Sequence, residues 1–228
     1  NPVLEKYTKL EFKTIDFYCD LFKGMAVKNR KEFIYEIKNN QPDKFLLGNC
    51  ISRYTITNSF YCDYNQLTIV GGTKNIDKHN IEPRILIRRT GDYLCCVLLE
   101  NKALTESTLY SCSLKNNDID IYFLLGLLNS KLLTYIVRQK MIMNKQAFPQ
   151  IMMTDVKLLK IPLANNEQQQ KLKELTQSIS LKHKILFELK IRFNNLIIAK
   201  TGLNKLSRKF NNWNELEFGV LLKELEKL

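Results

Sequence analysis

Near Leu163 the chain changes its pattern, and that change limits what it can fold into. Upstream, apolar residues come in short runs broken by glycine, proline and small polar residues, the pattern of strands and turns. Downstream, Leu172, Leu175, Ile179, Leu186, Leu189, Phe193 and Leu196 fall at alternating three- and four-residue steps, with Lys182 interrupting the seam. That spacing marks one face of a long helix, here from Glu167 to Lys200. The expectation is an α+β chain in two parts, a body over residues 1–163 and a helical region over 164–228.

Within the body, Gly24 allows a turn inside the run from Ile15 to Phe33, and Lys23, Lys28, Arg30 and Lys31 cluster around it. Such a cluster suits a polyanion and equally suits a solvated turn. A Pro42-Asp43 turn precedes a short strand within Phe45 to Ile56, and Gly71-Gly72 ends another strand. In the run Arg84-Ile85-Leu86-Ile87-Arg88-Arg89, alternation predicts one buried face and one partly basic face. Gly91-Asp92 then turns the chain into the return strand Tyr93 to Leu99, and Leu109 to Leu114 gives one more. The predicted sheet is antiparallel or mixed, and twisted. Asp120 to Val137 is apolar on most faces and reads as one core helix, with Asn129-Ser130 at the edge of the core.

Charge narrows the partner. The chain carries 35 Lys and Arg against 23 Asp and Glu, a net charge of +12, which favours nucleic acid and is also compatible with an ordinary basic surface. Its six cysteines form no C-x-x-C pair, and His79 and His183 stand far apart, so no metal-ligand spacing is present. With no secretory signal, the expectation is a cytoplasmic protein with reduced thiols. No apolar run reaches the ~18 residues of a membrane span. The chain opens at Asn1 without an initiator methionine, which is expected of a piece of a longer polypeptide.

Several runs agree with one family. Leu124-Leu125-Gly126-Leu127-Leu128-Asn129-Ser130-Lys131-Leu132, then Phe148-Pro149-Gln150-Ile151, then Leu158-Leu159-Lys160-Ile161-Pro162-Leu163 occur in order at ordinary spacing. So do the runs from Ile15 to Phe33, from Phe45 to Ile56 and from Ile85 to Gly91. Together they resemble a TaqI-like specificity domain, the target-recognition domain found behind adenine methyltransferase domains and, in related form, in type I restriction specificity subunits. The family often has a glycine where this chain has Lys28 or Asn29, which alters the loop there; asparagine tolerates positive φ. The tail Asn212 to Phe218 resembles the ending behind such domains in fused methyltransferase–restriction enzymes, with Trp213 and Phe218 as packing anchors.

The resemblance implies a site-specific DNA reader whose partners are duplex DNA and a methyltransferase domain of the same or another chain. S-adenosylmethionine would belong to that parent enzyme, to which a nuclease is fused in some relatives. This chain has no cofactor loop, and Asn1-Pro2 is followed by Val3 and Leu4 rather than by a base-holding motif. Phosphate contacts are expected from Lys28, Arg30, Lys31, Arg53, Arg88, Arg89 and Lys145, and base-edge contacts from Arg30, Gln139, Lys140, Asn144 and Gln146. A half-size type I specificity subunit is the alternative, and a helical adaptor without a nucleic-acid role is a third reading. For the helix seam the expected cover is internal, from Leu216, Phe218, Leu221, Leu222 and Leu225 after a turn at Gly202, giving a monomeric helical hairpin; the other available cover is the same helix of a second chain.

Overall fold

A computed structural model describes Glu5, Tyr7, and residues 9–140, 149–207 and 209–227, the side chain of Lys140 excepted. In chain order the elements are β1 (Phe12–Thr14), α1 (Ile15–Tyr18), β2 (Cys19–Lys23), β3 (Ala26–Val27), α2 (Arg30–Phe33) and β4 (Asp43–Leu46). Then come β5 (Ile51–Ser52), β6 (Thr55–Ile56), β7 (Phe60–Cys62), β8 (Ile69–Gly71), α3 (Ile76–His79), β9 (Arg84–Arg88), β10 (Cys96–Leu99), β11 (Leu104–Thr105) and β12 (Leu109–Leu114). Helices α4 (Ile121–Leu128), α5 (Lys131–Lys140) and α6 (Met153–Lys157), strand β13 (Lys160–Pro162), and helices α7 (Asn166–Thr201) and α8 (Phe218–Leu225) complete the chain. It divides into two compact units, 1–180 and 181–228, with the boundary inside α7.

The first unit is organised on a four-stranded antiparallel sheet of order β10-β9-β12-β2. The hairpin expected at Gly91-Asp92 forms, pairing Cys96 with Ile87 and Leu99 with Arg84. The expected basic face on β9 does not. Arg84, Ile85, Leu86 and Ile87 are all wholly buried, because the sheet has a core on each side. Ile85 and Ile87 enter a core with Phe123, Leu124 and Leu128, while Leu86 enters a second core with Phe45, Leu46 and Leu104. A strand covered on both faces loses its polar alternation. All six cysteines are free and buried.

Arg84 is buried with no carboxylate ion pair among the described residues; its guanidinium donates to the carbonyls of Ile81 and Ala103. Burial lowers its pKa to about 10. Nearby, His79 is also wholly buried, between the Thr73 carbonyl (3.0 Å) and Thr105, and burial holds its pKa below the usual histidine value.

The single core helix expected over Asp120 to Val137 is two helices bent by 54°. Asn129 breaks it. Its side chain accepts from Cys96 N–H at 3.0 Å and donates to the Cys96 carbonyl at 2.9 Å, so it copies the pairing of a neighbouring strand at the open edge of β10. Ser130 Oγ then accepts from Leu133 N–H and caps α5.

Helix α7 starts at Asn166, behind a reciprocal cap between Asn165 and Gln168. In the first unit Thr176 and Leu172 pack on Gly126, whose missing side chain makes room for them. In the second unit the helix ends at Gly202, where φ is +69°, and the following segment folds back onto it. Phe210 stacks on Phe193 at 6.1 Å and Trp213 packs on the same ring at 4.6 Å. This cover is narrower than expected. Leu186, Leu189 and Leu196 are exposed in the second unit, as are Leu175 and Ile179 in the first. Phe218 is 73% exposed and anchors nothing, because the 310 turns at Phe210–Glu215 put Trp213 and Phe210, rather than α8, against the seam.

Candidate nucleic-acid interface

Strands β2 and β9 run towards the same end of the central sheet, and β12 and β10 start from it: Lys23 lies opposite Tyr110, Arg88 opposite Leu109, and Ile87 opposite Cys96. Three connecting segments meet at this end. They are Gly24 to Arg30 after β2, Arg89 to Cys95 between β9 and β10, and Glu106 to Thr108 before β12.

Main-chain bonds lock these segments together. Gly24 N donates to the Leu109 carbonyl and Ser107 N to that of Met25, both at 3.0 Å, and Arg89 N donates to that of Thr108 at 2.9 Å. The Glu106 carboxylate accepts from Ser107 Oγ and Thr108 N at 2.8 Å, which fixes the turn between them. Gly24 is required here: a Cβ would collide with the carbonyls of Thr105 and Glu106. On the far side of residues 141–148 the chain is pinned to the same end, with Gly91 N donating to the Pro149 carbonyl and Ile151 N to that of Arg89, both at 2.9 Å.

The structure brings most of the expected residues to this end. Lys28, Arg30 and Lys31 are exposed just beyond β3, with Asn29 left-handed at φ +51°, the asparagine tolerance anticipated where relatives carry glycine. Arg30 and Lys31 line a cleft of about 430 Å3 that Glu106 also borders. Arg88 ends β9 and Arg89 follows it, and both are half-buried. Arg88 donates to Tyr93 Oη at 2.9 Å, and the Nε atoms of Arg88 and Arg89 are shielded from solvent with no acceptor among the described residues. Arg53 sits in the turn between β5 and β6 and reaches the same loop, donating from Nε to the Leu94 carbonyl at 3.1 Å and from Nη2 to Thr134 Oγ1 at 2.7 Å. Its guanidinium lies 4.9 Å from the Tyr93 ring, and that of Arg88 lies 5.5 Å from it. Among the described residues, no carboxylate forms an ion pair with Lys28, Arg30, Lys31, Arg53, Arg88 or Arg89. Gln139 is exposed on α5; Asn144, Lys145, Gln146 and the side chain of Lys140 lie outside the described residues.

Sequence reasoning missed a neighbouring group. Lys131, Thr134, Tyr135 and Arg138 line a cleft of about 420 Å3 together with Arg53 and Tyr93. Their spacing of three, four and seven residues was a readable signal. It was masked because α5 was taken as the continuation of a helix apolar on most faces.

Among the described residues, no group of three or more His, Cys, Asp or Glu has the geometry to hold a metal ion. What the sheet end offers chemically is fixed positive charge, aromatic surface and amide groups, the equipment for holding a polyanion.

Comparison with known proteins places this architecture. No curated protein matches the chain. Among solved structures, the crystal structure of the HsdS subunit from Thermoanaerobacter tengcongensis superposes with a TM-score of 0.52 at 16% identity, over 78% of this chain and 39% of that one. The type I restriction-modification S subunit of M. genitalium gives a TM-score of 0.47 at 16% identity, over 96% of this chain and 49% of that one. At such identities the first likeness is one of fold. The chain thus spans less than half the length of either. A family model described as a domain of unknown function (DUF8810) matches residues 165–228. Residues 43–163, from the strand that opens the second core to the last strand before α7, match the model of the TaqI-like C-terminal specificity domain. That match takes in more than half of the sequence, and the chain belongs to the TaqI-like C-terminal specificity domain family.

Proposed function

We propose that this chain is the DNA target-recognition portion of a restriction-modification methyltransferase acting on adenine N6, and that the basic end of the central sheet is the surface that meets duplex DNA. One observation carries the reading: arginines and lysines from three separate segments converge on one rigid end of the sheet without carboxylate partners among the described residues. Unpaired cations held there offer phosphates several contacts at once. Pro149 and Ile151 are bonded to the same end, and in this reading the amides and lysines of residues 139–146 address base edges. Catalysis belongs to the parent enzyme, whose methyltransferase domain would hold S-adenosylmethionine and the displaced adenine.

Duplex binding measured across a salt series tests this. Arg88→Glu together with Arg89→Glu is expected to weaken binding to every duplex sequence alike and to flatten the salt dependence. Unchanged affinity at low salt would remove the sheet end from the DNA surface.

A second reading is favoured by the bare seam of α7. In a half-size type I specificity subunit, Leu186, Leu189 and Leu196 would be covered by another subunit. Sedimentation separates the two. A monomer indifferent to Leu186→Glu and Leu189→Glu supports the fused enzyme, whereas a tight dimer that these substitutions dissociate transfers the conclusion to the half-size subunit.

A further inference from the structure

We propose that the cleft formed by α5, Arg53 and Tyr93 is a seat for one sugar–phosphate unit of the DNA backbone, outside the bases that are read. The inference rests on the duplex-binding reading above and adds a contact that the sheet end does not contain.

The cleft is built from one helical face. Lys131, Thr134, Tyr135 and Arg138 stand at positions i, i+3, i+4 and i+7 of α5, with Arg53 and Tyr93 opposite, around about 420 Å3. That volume lies at the small end of ligand clefts. Its charge is positive. Arg138 is neutralised by Asp92 at 2.9 Å, and Arg53 and Lys131 have no carboxylate partner among the described residues.

Arg53 is preset for an anion. Its bonds to Leu94 and Thr134 use Nε and Nη2, and the Tyr93 ring backs the guanidinium. Nη1 bonds nothing among the described residues and is left for a ligand, and a guanidinium so fixed loses little freedom on binding. The two tyrosines give the cleft an apolar wall that suits a deoxyribose beside the phosphate.

Continuity selects the DNA backbone as the occupant. Tyr93 is shared: its ring meets Arg53 in the cleft, and its hydroxyl accepts from Arg88 at the sheet end. A strand held at Arg88 therefore meets Arg53 and Lys131 as it continues past Tyr93. A small free anion, such as a nucleoside monophosphate, offers the same phosphate chemistry without that continuity.

The test uses the full chain with Lys131→Gln. Lys131 is exposed, so folding is expected to survive, and a thermal melt checks this. The slope of log affinity against log salt is expected to become shallower by about 0.9, the value for one lost phosphate contact, and equally for target and random duplex. Thr134→Val, which frees Arg53 without changing charge, is expected to weaken duplex binding by about two- to tenfold with the slope unchanged. If Lys131→Gln leaves slope and affinity as in the parent chain while Arg88→Glu with Arg89→Glu lowers them, the cleft assignment is wrong and the sheet-end reading stands. If deoxyadenosine monophosphate shifts the amide resonances around Lys131 and the duplex slope ignores Lys131→Gln, the cleft serves a free anion and the backbone assignment falls. A parent chain with no salt-dependent duplex binding would end both readings.

Discussion

Asn129 is the residue on which the arrangement of the two core helices depends, and replacing it with alanine should show this. The side chain is 4% exposed, bonds the Tyr54 side chain, and makes two bonds to the backbone of Cys96. The two losses are unequal. The Cys96 carbonyl also accepts from Tyr54 N at 2.9 Å, so it keeps a partner, while the Cys96 N–H becomes a buried donor with none. An orphaned buried donor costs about 1–3 kcal/mol, and the lost second bond costs about 0.5–1.5 kcal/mol. The sum is about 1.5–4.5 kcal/mol, all of it in the unit formed by residues 1–180. With a urea dependence of about 2 kcal/mol/M, the midpoint of that unit should fall by about 1–2 M with little change in slope. Hydrogen exchange at the Cys96 amide gives a local readout and should accelerate. A midpoint within about 0.2 M of the parent chain, with Cys96 still protected, would mean that something other than Asn129 sets the break, because the loss would then lie below the cost of one hydrogen bond.

Two further outcomes follow from buried groups in the same unit. Burial lowers the pKa of His79, so the folded state favours its neutral form. Its contribution is complete above the unfolded value of about 6.5 and is lost as pH falls from there through the lowered folded value. His79→Gln should therefore flatten the decline in stability between about pH 7 and pH 5, and an identical decline in both chains, measured by urea titration, would refute the assignment. Gly24→Ala should destabilise the unit by about 1–3 kcal/mol and weaken duplex binding together, because the Cβ would displace the carbonyls of Thr105 and Glu106 that anchor the Lys28 to Lys31 segment. A normal melt with normal binding would show that the loop tolerates the shift.

Local chemistry was legible in the sequence. Gly202 and the Gly91-Asp92 turn each act within a few residues, and the structure shows both. What escaped depended on distant partners. Nothing near Asn129 reveals that the edge of β10 needs one more donor and acceptor, so the apolar run was read straight through the break. Nothing near Arg84 reveals two free carbonyls at Ile81 and Ala103 that let a charged side chain be buried. The seam of α7 shows the limit most directly. Its periodicity demanded a cover and could not say how far one extends, and the structure covers Phe193 while leaving Leu186, Leu189 and Leu196 exposed.

The same distinction between local and distant causes separates the basic residues by their part in the proposed function. Lys28, Arg30 and Lys31 are exposed, and each must give up side-chain freedom to hold a phosphate, up to about 2 kcal/mol for a long cation. Arg53 and Arg88 are already held, the first by Leu94 and Thr134 and the second by Tyr93. Their ordering was completed when the chain folded, so more of each contact energy remains for binding. The segments that carry Lys28, Arg30 and Arg89 are tied to one another through the carbonyls of Met25, Thr108 and Leu109, and the Arg53 turn is tied to β10 through Tyr54 N and the Cys96 carbonyl, so their spacing is set by the sheet rather than by the DNA. A surface of this kind fixes where a duplex lies before any base is read. Sequence preference is then left to residues nearer the bases, and the preset arginines should govern how tightly every sequence is held.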